Sequence, residues 1–348
     1  MMYFIDWLFY RSHHETGEEP EDFKQATAVF EEEVKKVLES NGHDVKKMVS
    51  ETPSDARSIY RITDDYIDVR TFFDEWRGGG VVGLFCPFLG VLFMFFFLVI
   101  PLSFVWFTGE HYWTGTPAEP VEYIVSIFLF VLFGGALYFM FRYLFWLLRM
   151  ECLVQRHIVI RFNRNTRKVY INRPNFAGGN KVYDWEVITS SVEPSDPVMT
   201  GDLYCEPKRS ILMLMFLKQQ TGEDHHDIVL AGAPLRSDRE MYDLWEYIRR
   251  FMEEGRDSVP EPRCIPTFPW PWRSFLAPWS FIELQWHQAP WSPKMIALVV
   301  LVSPAMLVHA VAHWCSLLTC WPVYWPKTLR RESTMTAAEF AQEREQRA

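Results

Sequence analysis

Two histidines lie one helical turn apart inside a long uncharged run near the C-terminal end of the sequence. His309 and His313 would share one face of a helix, and Cys315 and Cys320 follow closely. Imidazoles at this spacing can hold a zinc ion or a haem iron. The run contains no carboxylate and its cysteine spacing fits no known metal site. We therefore interpret the histidines as hydrogen-bonding to neighbouring helices or reaching a nearby membrane interface, and we predict no metal or other cofactor.

A second group of polar side chains, Asp224, His225, His226 and Asp227, follows the pair Thr221 and Gly222. Adjacent side chains of a strand point to opposite faces, so four consecutive residues rarely bind one ion. We interpret this group as a polar hairpin turn rather than as a metal site.

Motifs for covalent catalysis and for nucleotide binding are absent from the sequence. It contains no GxSxG, GxxxxGK[ST] or GxGxxG, and its six cysteines form no CxxC pair. Arg249 and Arg250 could meet lipid phosphates, although most such pairs are solvated surface charges. We predict no catalytic residues and a protein that is not an enzyme.

Two long apolar segments predict helices that cross a membrane. The segment 81–107 carries no charge, and the segment 123–148 carries only Arg142. Each exceeds the roughly 20 apolar residues that cross a bilayer as a helix. Residues 78–150 are therefore predicted to form a transmembrane helical hairpin, the alternative being two buried helices of a large soluble protein.

The charges beside the hairpin predict its orientation. Arginines precede the first segment and follow the second, whereas the connecting loop carries Glu110 and Glu119 and no Lys or Arg. Because cytoplasmic flanks carry an excess of positive residues, we expect the loop outside and both flanks in the cytoplasm. The expected location is the inner membrane of a bacterium.

The charge balance favours a protein partner over a nucleic acid. The net charge is −9, and residues 1–80 hold 18 acidic against 10 basic residues. Nucleic-acid binding needs a basic surface, and an acidic region is also repelled by the anionic inner leaflet. The aromatic content of 16% nevertheless suits contact with membrane lipid at the interfaces.

The soluble regions on either side of the hairpin predict an α+β protein. Residues 1–77 form an acidic region with an amphipathic helix at 21–40 and a strand at 58–69. Residues 153–255 contain two strand hairpins and end in an amphipathic helix capped by Ser237 or Asp238. A small curled sheet closed by one C-terminal helix is the plan of pleckstrin-homology-like domains, which by itself carries no function.

The C-terminal third changes composition twice. Residues 256–294 are rich in proline and tryptophan, which suits a linker at the level of the lipid headgroups. Residues 295–325 are uncharged and contain Pro304, and they are too short to cross twice. A single crossing would place the basic residues of the charged tail, 326–348, outside. We therefore favour a broken, re-entrant helix over a single span.

Several local patterns resemble a known family. They are Arg161-Phe-Asn-Arg followed by Lys168-Val-Tyr, the isolated Trp185, the helix from Leu244 to Gly255, and Trp325-Pro-Lys. Together, over roughly residues 58–327, they are similar to bacterial inner-membrane proteins that form a domain of unknown function found beside type VI secretion effector genes. The resemblance implies an immunity or adaptor role and assigns no site residues.

Three functions are consistent with this sequence. The first is a non-enzymatic immunity or adaptor protein that binds a toxin or another secretion-associated protein. The second is a membrane-anchored lipid-sensing or scaffold module. The third is a metal-dependent membrane enzyme built around His309 and His313. The acidic N-terminal region favours the first, because it is suited to a protein partner.

Overall fold

The structure is a computed structural model. It describes residues 46–192, 198–199, 208–223, 226–336 and 338–340, together with 342 and 345. The predicted helix at 21–40 therefore lies outside the described residues.

Two apolar helices pack against each other as a hairpin. Helix α1, Gly79–Met94, continues through a π-helical turn, Phe95–Val99, and two short helical segments, Ile100–Ser103 and Val105–Thr108. Helix α2 spans Pro120–Leu148. The indole Nε1 of Trp106 donates to Oγ of Ser126 at 2.8 Å, which joins the two helices near the loop. Both predicted apolar segments are therefore helical, and both are long and apolar enough to cross a membrane.

The hairpin is inserted between two neighbouring strands of one antiparallel sheet. The five strands, in spatial order, are β1 Ile59–Ile62, β2 Tyr66–Arg70, β3 Val159–Asn163, β4 Lys168–Asn172 and β5 Lys181–Asp184. Strand β2 precedes the hairpin and pairs with β3, which follows it, from Tyr66 opposite Asn163 to Arg70 opposite Val159. The chain thus leaves the sheet after β2, forms the two apolar helices, and returns to the sheet beside β2 as β3.

The strand predicted at 58–69 is two strands. Backbone N–H of Thr63 donates to the carbonyl of Tyr66 at 2.9 Å, and N–H of Tyr66 donates to Oγ1 of Thr63 at 3.0 Å. These bonds close a tight turn in the middle of the predicted element, because a threonine hydroxyl can replace a ladder bond at a turn.

A second antiparallel sheet and one helix complete the soluble unit. The sheet contains β6 Ile188–Ser190, β7 Ser210–Phe216 and β8 Asp227–Leu235, and helix α3, Asp238–Glu253, packs across it. Oγ of Ser237 accepts from N–H of Glu240 at 3.4 Å, so the predicted cap is present. The buried indole rings of Trp185 and Trp245 stack at 5.5 Å in the core between the sheets and α3.

The Pro/Trp-rich region forms short helices at the base of the hairpin. They are α4 Pro271–Leu276, a 3-10 turn Ala277–Phe281, and α5 Glu283–Gln288. N–H of Ile265 donates to the carbonyl of Ile59 at 2.7 Å, so the chain entering this region runs along the edge of β1. The region is thereby held against the sheet.

The third apolar element is one continuous helix, α6, Pro293–Leu318, and not a broken one. Pro304 removes a single backbone donor without ending the helix, and Oγ of Ser303 donates to the carbonyl of Val300 at 2.8 Å. Helix α6 is long and apolar enough to cross a membrane.

The last part of the predicted apolar segment lies along the soluble unit in an extended conformation. N–H of Arg156 donates to the carbonyl of Trp321 at 2.7 Å, and N–H of Trp321 donates to the carbonyl of Val154 at 3.1 Å. Helix α7, Lys327–Ser333, then docks on the sheet, where Lys168 pairs with Glu332 at 2.7 Å. The start of the predicted charged tail is therefore part of the folded unit.

Candidate functional site

A buried trio of polar side chains lies where the sheet meets the apolar helices. Tyr60 belongs to β1, Asp74 to the 3-10 turn Phe72–Trp76 between β2 and α1, and His157 to the segment that enters β3. The phenol of Tyr60 donates to Oδ2 of Asp74 at 2.5 Å, and Nδ1 of His157 lies 3.0 Å from the same oxygen. Residues from both sides of the inserted hairpin thus share one carboxylate.

This arrangement fixes the proton on one nitrogen of His157. A carboxylate accepts only, so the imidazole must carry its proton on Nδ1 when it bonds to Asp74. The remaining nitrogen, Nε2, is buried and has no hydrogen-bond partner in the described part of the chain. It can therefore accept a proton in the neutral ring or donate one in the cation.

Charges around the trio keep Asp74 ionised. Burial alone would raise the pKa of Asp74, but the charge and hydrogen bond of His157, with Arg70 and Arg77, hold it well below its usual value. Burial and the neighbouring charge of Asp74 raise the pKa of the Tyr60 phenol, so Tyr60 remains a donor.

A cavity of about 340 Å³ opens beside the trio. Four arginines line it, together with Asp74, His157 and Glu283 and with apolar residues of α4, α6 and the Pro/Trp-rich region; the arginines are Arg57, Arg70, Arg156 and Arg273. Arg156 and His157 also border a larger groove, of about 1050 Å³, between the sheet and the extended segment after α6. The lining is rich in positive charge.

Two arginines hold the end of α6 against the base of the hairpin. Arg77 is fully buried and donates to the carbonyl of Glu151 at 2.7 Å and to Sγ of Cys320 at 3.0 Å. Arg156 donates to the carbonyls of Leu317 at 3.2 Å and Cys320 at 3.0 Å. Cations at the carbonyl end of a helix are favourable because they complete its last hydrogen bonds.

Gly78 permits this close approach. Its φ is +91°, and a Cβ there would lie 2.5 Å from the backbone nitrogen of His313. The backbones of the hairpin and of α6 therefore touch directly next to the cavity.

The predicted metal candidates lie at this junction but in different surroundings. Nδ1 of His313 lies 2.9 Å from Oγ of Ser274 in α4, and the rings of His309 and His313 are 6.3 Å apart. Cys320 contacts Arg77. No group of three histidine, cysteine or acidic side chains is placed to hold a metal ion within the described residues.

The other predicted polar groups have structural partners. Asp224 and His225 lie outside the described residues, whereas Asp227 is buried and binds Arg173 and Tyr183 at the start of β8. Arg249 and Arg250 are ion-paired within the soluble unit. Both donate to Glu246 of their own helix, at 2.7 and 2.6 Å, because that carboxylate is fully buried and requires cationic partners.

The sequence pattern gave no signal for Asp74, His157 or Tyr60 as a group. Asp74 and His157 are separated by the whole hairpin, and only the pairing of β2 with β3 brings them together. The one available hint was a charged stretch, Asp74 to Arg77, directly before a glycine joint and an apolar helix. Chemically, the assembled site offers an oriented imidazole and several guanidinium groups, a combination suited to an anionic ligand.

A family model that describes DUF6708, a family of unknown function, matches residues 137–337. The chain belongs to the DUF6708 family. The matched residues contain His157, Arg156 and Arg273, whereas β1, β2 and Asp74 precede them. No curated protein and no solved structure shows a significant match to the chain.

Proposed function

We propose that this protein is a non-enzymatic membrane protein that acts by binding another protein at the inner membrane of a bacterium. The observation that supports this most is the insertion of the hairpin between β2 and β3. A unit assembled from strands on both sides of the hairpin cannot leave the membrane without unfolding. It therefore offers a binding surface fixed at the bilayer, of pleckstrin-homology-like plan, in which a curled sheet is closed by α3.

We place this unit in the cytoplasm. The arginines next to the hairpin support that orientation, and the segments before and after α6 both contact the soluble unit. Glu283, which lies ten residues before the start of α6, pairs with Arg236 of the soluble unit. Trp321, which lies just after the end of α6, donates its N–H to the carbonyl of Val154. We therefore place both ends of α6 on the cytoplasmic side, where this continuous helix lies along the inner face of the membrane and does not carry the chain across it. The basic residues of α7 remain inside.

The partner we propose is a toxin or another secretion-associated effector, with this protein as its immunity or adaptor protein. The resemblance to inner-membrane proteins encoded beside type VI secretion effectors supports this role, as does the acidic N-terminal region. Residues 46–54 cover the outer face of α3, where N–H of Val49 donates to Glu246 at 3.1 Å and Oγ of Ser50 binds Asp243. The acidic region joins the soluble unit there.

Co-expression with the neighbouring effector tests this proposal. Protection of sensitive cells should rise with the amount of this protein and saturate near equimolar toxin, and the two proteins should co-purify, because binding is stoichiometric. Replacing Glu31, Glu32 and Glu33 with Gln should weaken the complex if the acidic region meets a basic toxin. Replacing the exposed residues Asp64, Asp184 and Asp257 with Asn makes an equal change of charge elsewhere and serves as the control. Equal killing with and without this protein, and no recovered complex, would refute the proposal.

A further inference from the structure

We propose that the cavity beside Tyr60, Asp74 and His157 binds a phosphate group, contacted by Arg57, Arg273 and His157. This site does not depend on a protein partner, and neither the DUF6708 family nor the proposed function assigns it.

Among the described residues, the cavity lining contains four arginines and two carboxylates, Asp74 and Glu283, and both carboxylates already have partners. Asp74 already accepts from Tyr60 and His157, and Glu283 pairs both with Arg57 at 3.5 Å and with Arg236 outside the cavity. In the described part of the chain, the partners of the Arg156 side chain are backbone carbonyls and not carboxylates. A bound anion would supply a negative partner for Arg156.

The geometry of arginine suits an oxyanion such as phosphate. A guanidinium group presents a planar fork of donors that matches two phosphate oxygens. Arg273 also lies near enough to Tyr60 for its charge to act on the buried phenol, and it lines the same cavity. Arg57 has half of its side chain exposed, so it can turn toward a ligand at the mouth.

His157 provides the second, independent observation. The residue is only 7% exposed, it lines the cavity, and its Nε2 has no hydrogen-bond partner in the described regions. A buried polar atom without a partner destabilises a fold. A phosphate oxygen would satisfy the protonated Nε2, while Asp74 stabilises the positive ring on its other side.

The position of the cavity fits the phosphate of a phospholipid. His313 and Leu317, at the end of α6 next to the soluble unit, form one wall. Aromatic side chains of the Pro/Trp-rich region are exposed around it: Phe268 is 58% and Trp272 56% exposed, and the rings of Trp270 and Trp272 stack at 4.6 Å. Exposed indoles are favoured at the headgroup level of a bilayer. The alternative source of the phosphate group is a free phosphate compound, which would bind through the same contacts.

Calorimetry of the full-length protein in a phosphate-free neutral detergent tests the proposal and separates the two sources. The first probe is water-soluble dihexanoyl phosphatidylglycerol, and the second is inorganic phosphate. Binding of the lipid alone supports a headgroup site, and binding of both supports a site for the phosphate group itself. If neither binds, the proposal is wrong.

Arg273→Gln distinguishes this cavity from other cationic surface. It should weaken binding of the lipid about tenfold, the loss expected for one charge-assisted hydrogen bond. Arg263→Gln is the matched control, because Arg263 is exposed and lies outside the cavity lining. It should leave the affinity unchanged. Equal affinities for Arg273→Gln and the unmodified protein would overturn the assignment.

His157→Gln removes the ring but keeps a polar side chain. We expect it to weaken phosphate binding, because it removes the buried Nε2 that lacks a hydrogen-bond partner in the described residues. Should this variant fail to fold, the Arg273→Gln and Arg57→Gln titrations still decide the question, because both residues lie at the edge of the fold.

Discussion

Two clusters of arginines in this protein are built differently. At the outer face of α3, Arg249 and Arg250 share the buried carboxylate of Glu246 and have further carboxylate or carbonyl partners. Where the sheet meets the apolar helices, four arginines line a cavity together with Asp74 and Glu283. In the first cluster each arginine has a carboxylate partner, whereas the second cluster lines an open cavity. The first cluster therefore stabilises the fold, and the second is the one that we propose binds a phosphate group.

Breaking the matched cluster should have the largest effect on stability. Glu246→Ala removes the buried carboxylate that Arg249 and Arg250 share, so their positive charges lose this partner. We expect the change to lower the free energy of unfolding by about 3–5 kcal/mol. Thermal or denaturant unfolding in detergent measures this. Glu254→Ala, which removes an exposed partner of Arg249, is the control and should cost about 1 kcal/mol or less. Equal losses in both variants would show that the buried pairing is not what stabilises α3.

Asp74 lines the cavity but has hydrogen-bond partners of its own, so its removal should have an intermediate effect. Asp74→Asn keeps the shape but weakens the bonds to Tyr60 and His157, and we expect a loss of about 1.5–3 kcal/mol. The folded pKa of Asp74 is depressed below the unfolded value of about 3.9. Its contribution is therefore complete above that pH and is lost as the pH falls further.

The measurement is the acid limb of the stability curve. The unmodified protein should lose stability more steeply below about pH 4 than Asp74→Asn does, because the variant has no carboxylate to protonate there. Parallel acid limbs would indicate that Asp74 is protonated at higher pH than the structure implies.

Arg273→Gln should separate stability from binding. The residue lies at the cavity edge, where its Nη1 donates to the carbonyl of Pro266 at 2.6 Å, and we expect its replacement to change the free energy of unfolding by about 0.5 kcal/mol or less. Phosphate affinity should fall nevertheless. A large loss of stability in this variant would place Arg273 with the structural arginines and remove the contrast between the clusters.

The smallest effect is expected from the two histidines of α6. Replacing both His309 and His313 with Ala should leave the content of zinc, iron and copper of the purified protein unchanged and below stoichiometric. Elemental analysis of both proteins is the measurement. A stoichiometric metal that disappears in the double variant would make a metal-dependent enzyme the leading hypothesis.

Sequence patterns predicted the elements whose signal is local. The apolar helices follow from uncharged runs, and α3 follows from a cap at Ser237 and a stripe that includes Trp245. Pro304 misled the prediction, because a proline that breaks a helix in water is tolerated within a long apolar helix.

Pairings across the hairpin could not be predicted in the same way. Nothing local in β2 specifies that its partner, β3, follows two apolar helices, and the Tyr60, Asp74 and His157 site depends on that pairing. Likewise, Arg249 and Arg250 look like surface charges in the sequence, since the burial of Glu246 depends on residues 46–54 covering α3. Long-range packing, rather than composition, decides which arginines are structural.

The central claim is that the hairpin and α6 keep the soluble unit, the cavity and the C-terminus on the cytoplasmic side. Reporter fusions test it directly, in intact cells, at Gly115 in the hairpin loop, after Gly255, and at the C-terminus. We predict an external signal at Gly115 and internal signals at the other two positions. An internal signal at Gly115, or an external signal at the C-terminus, would contradict this arrangement.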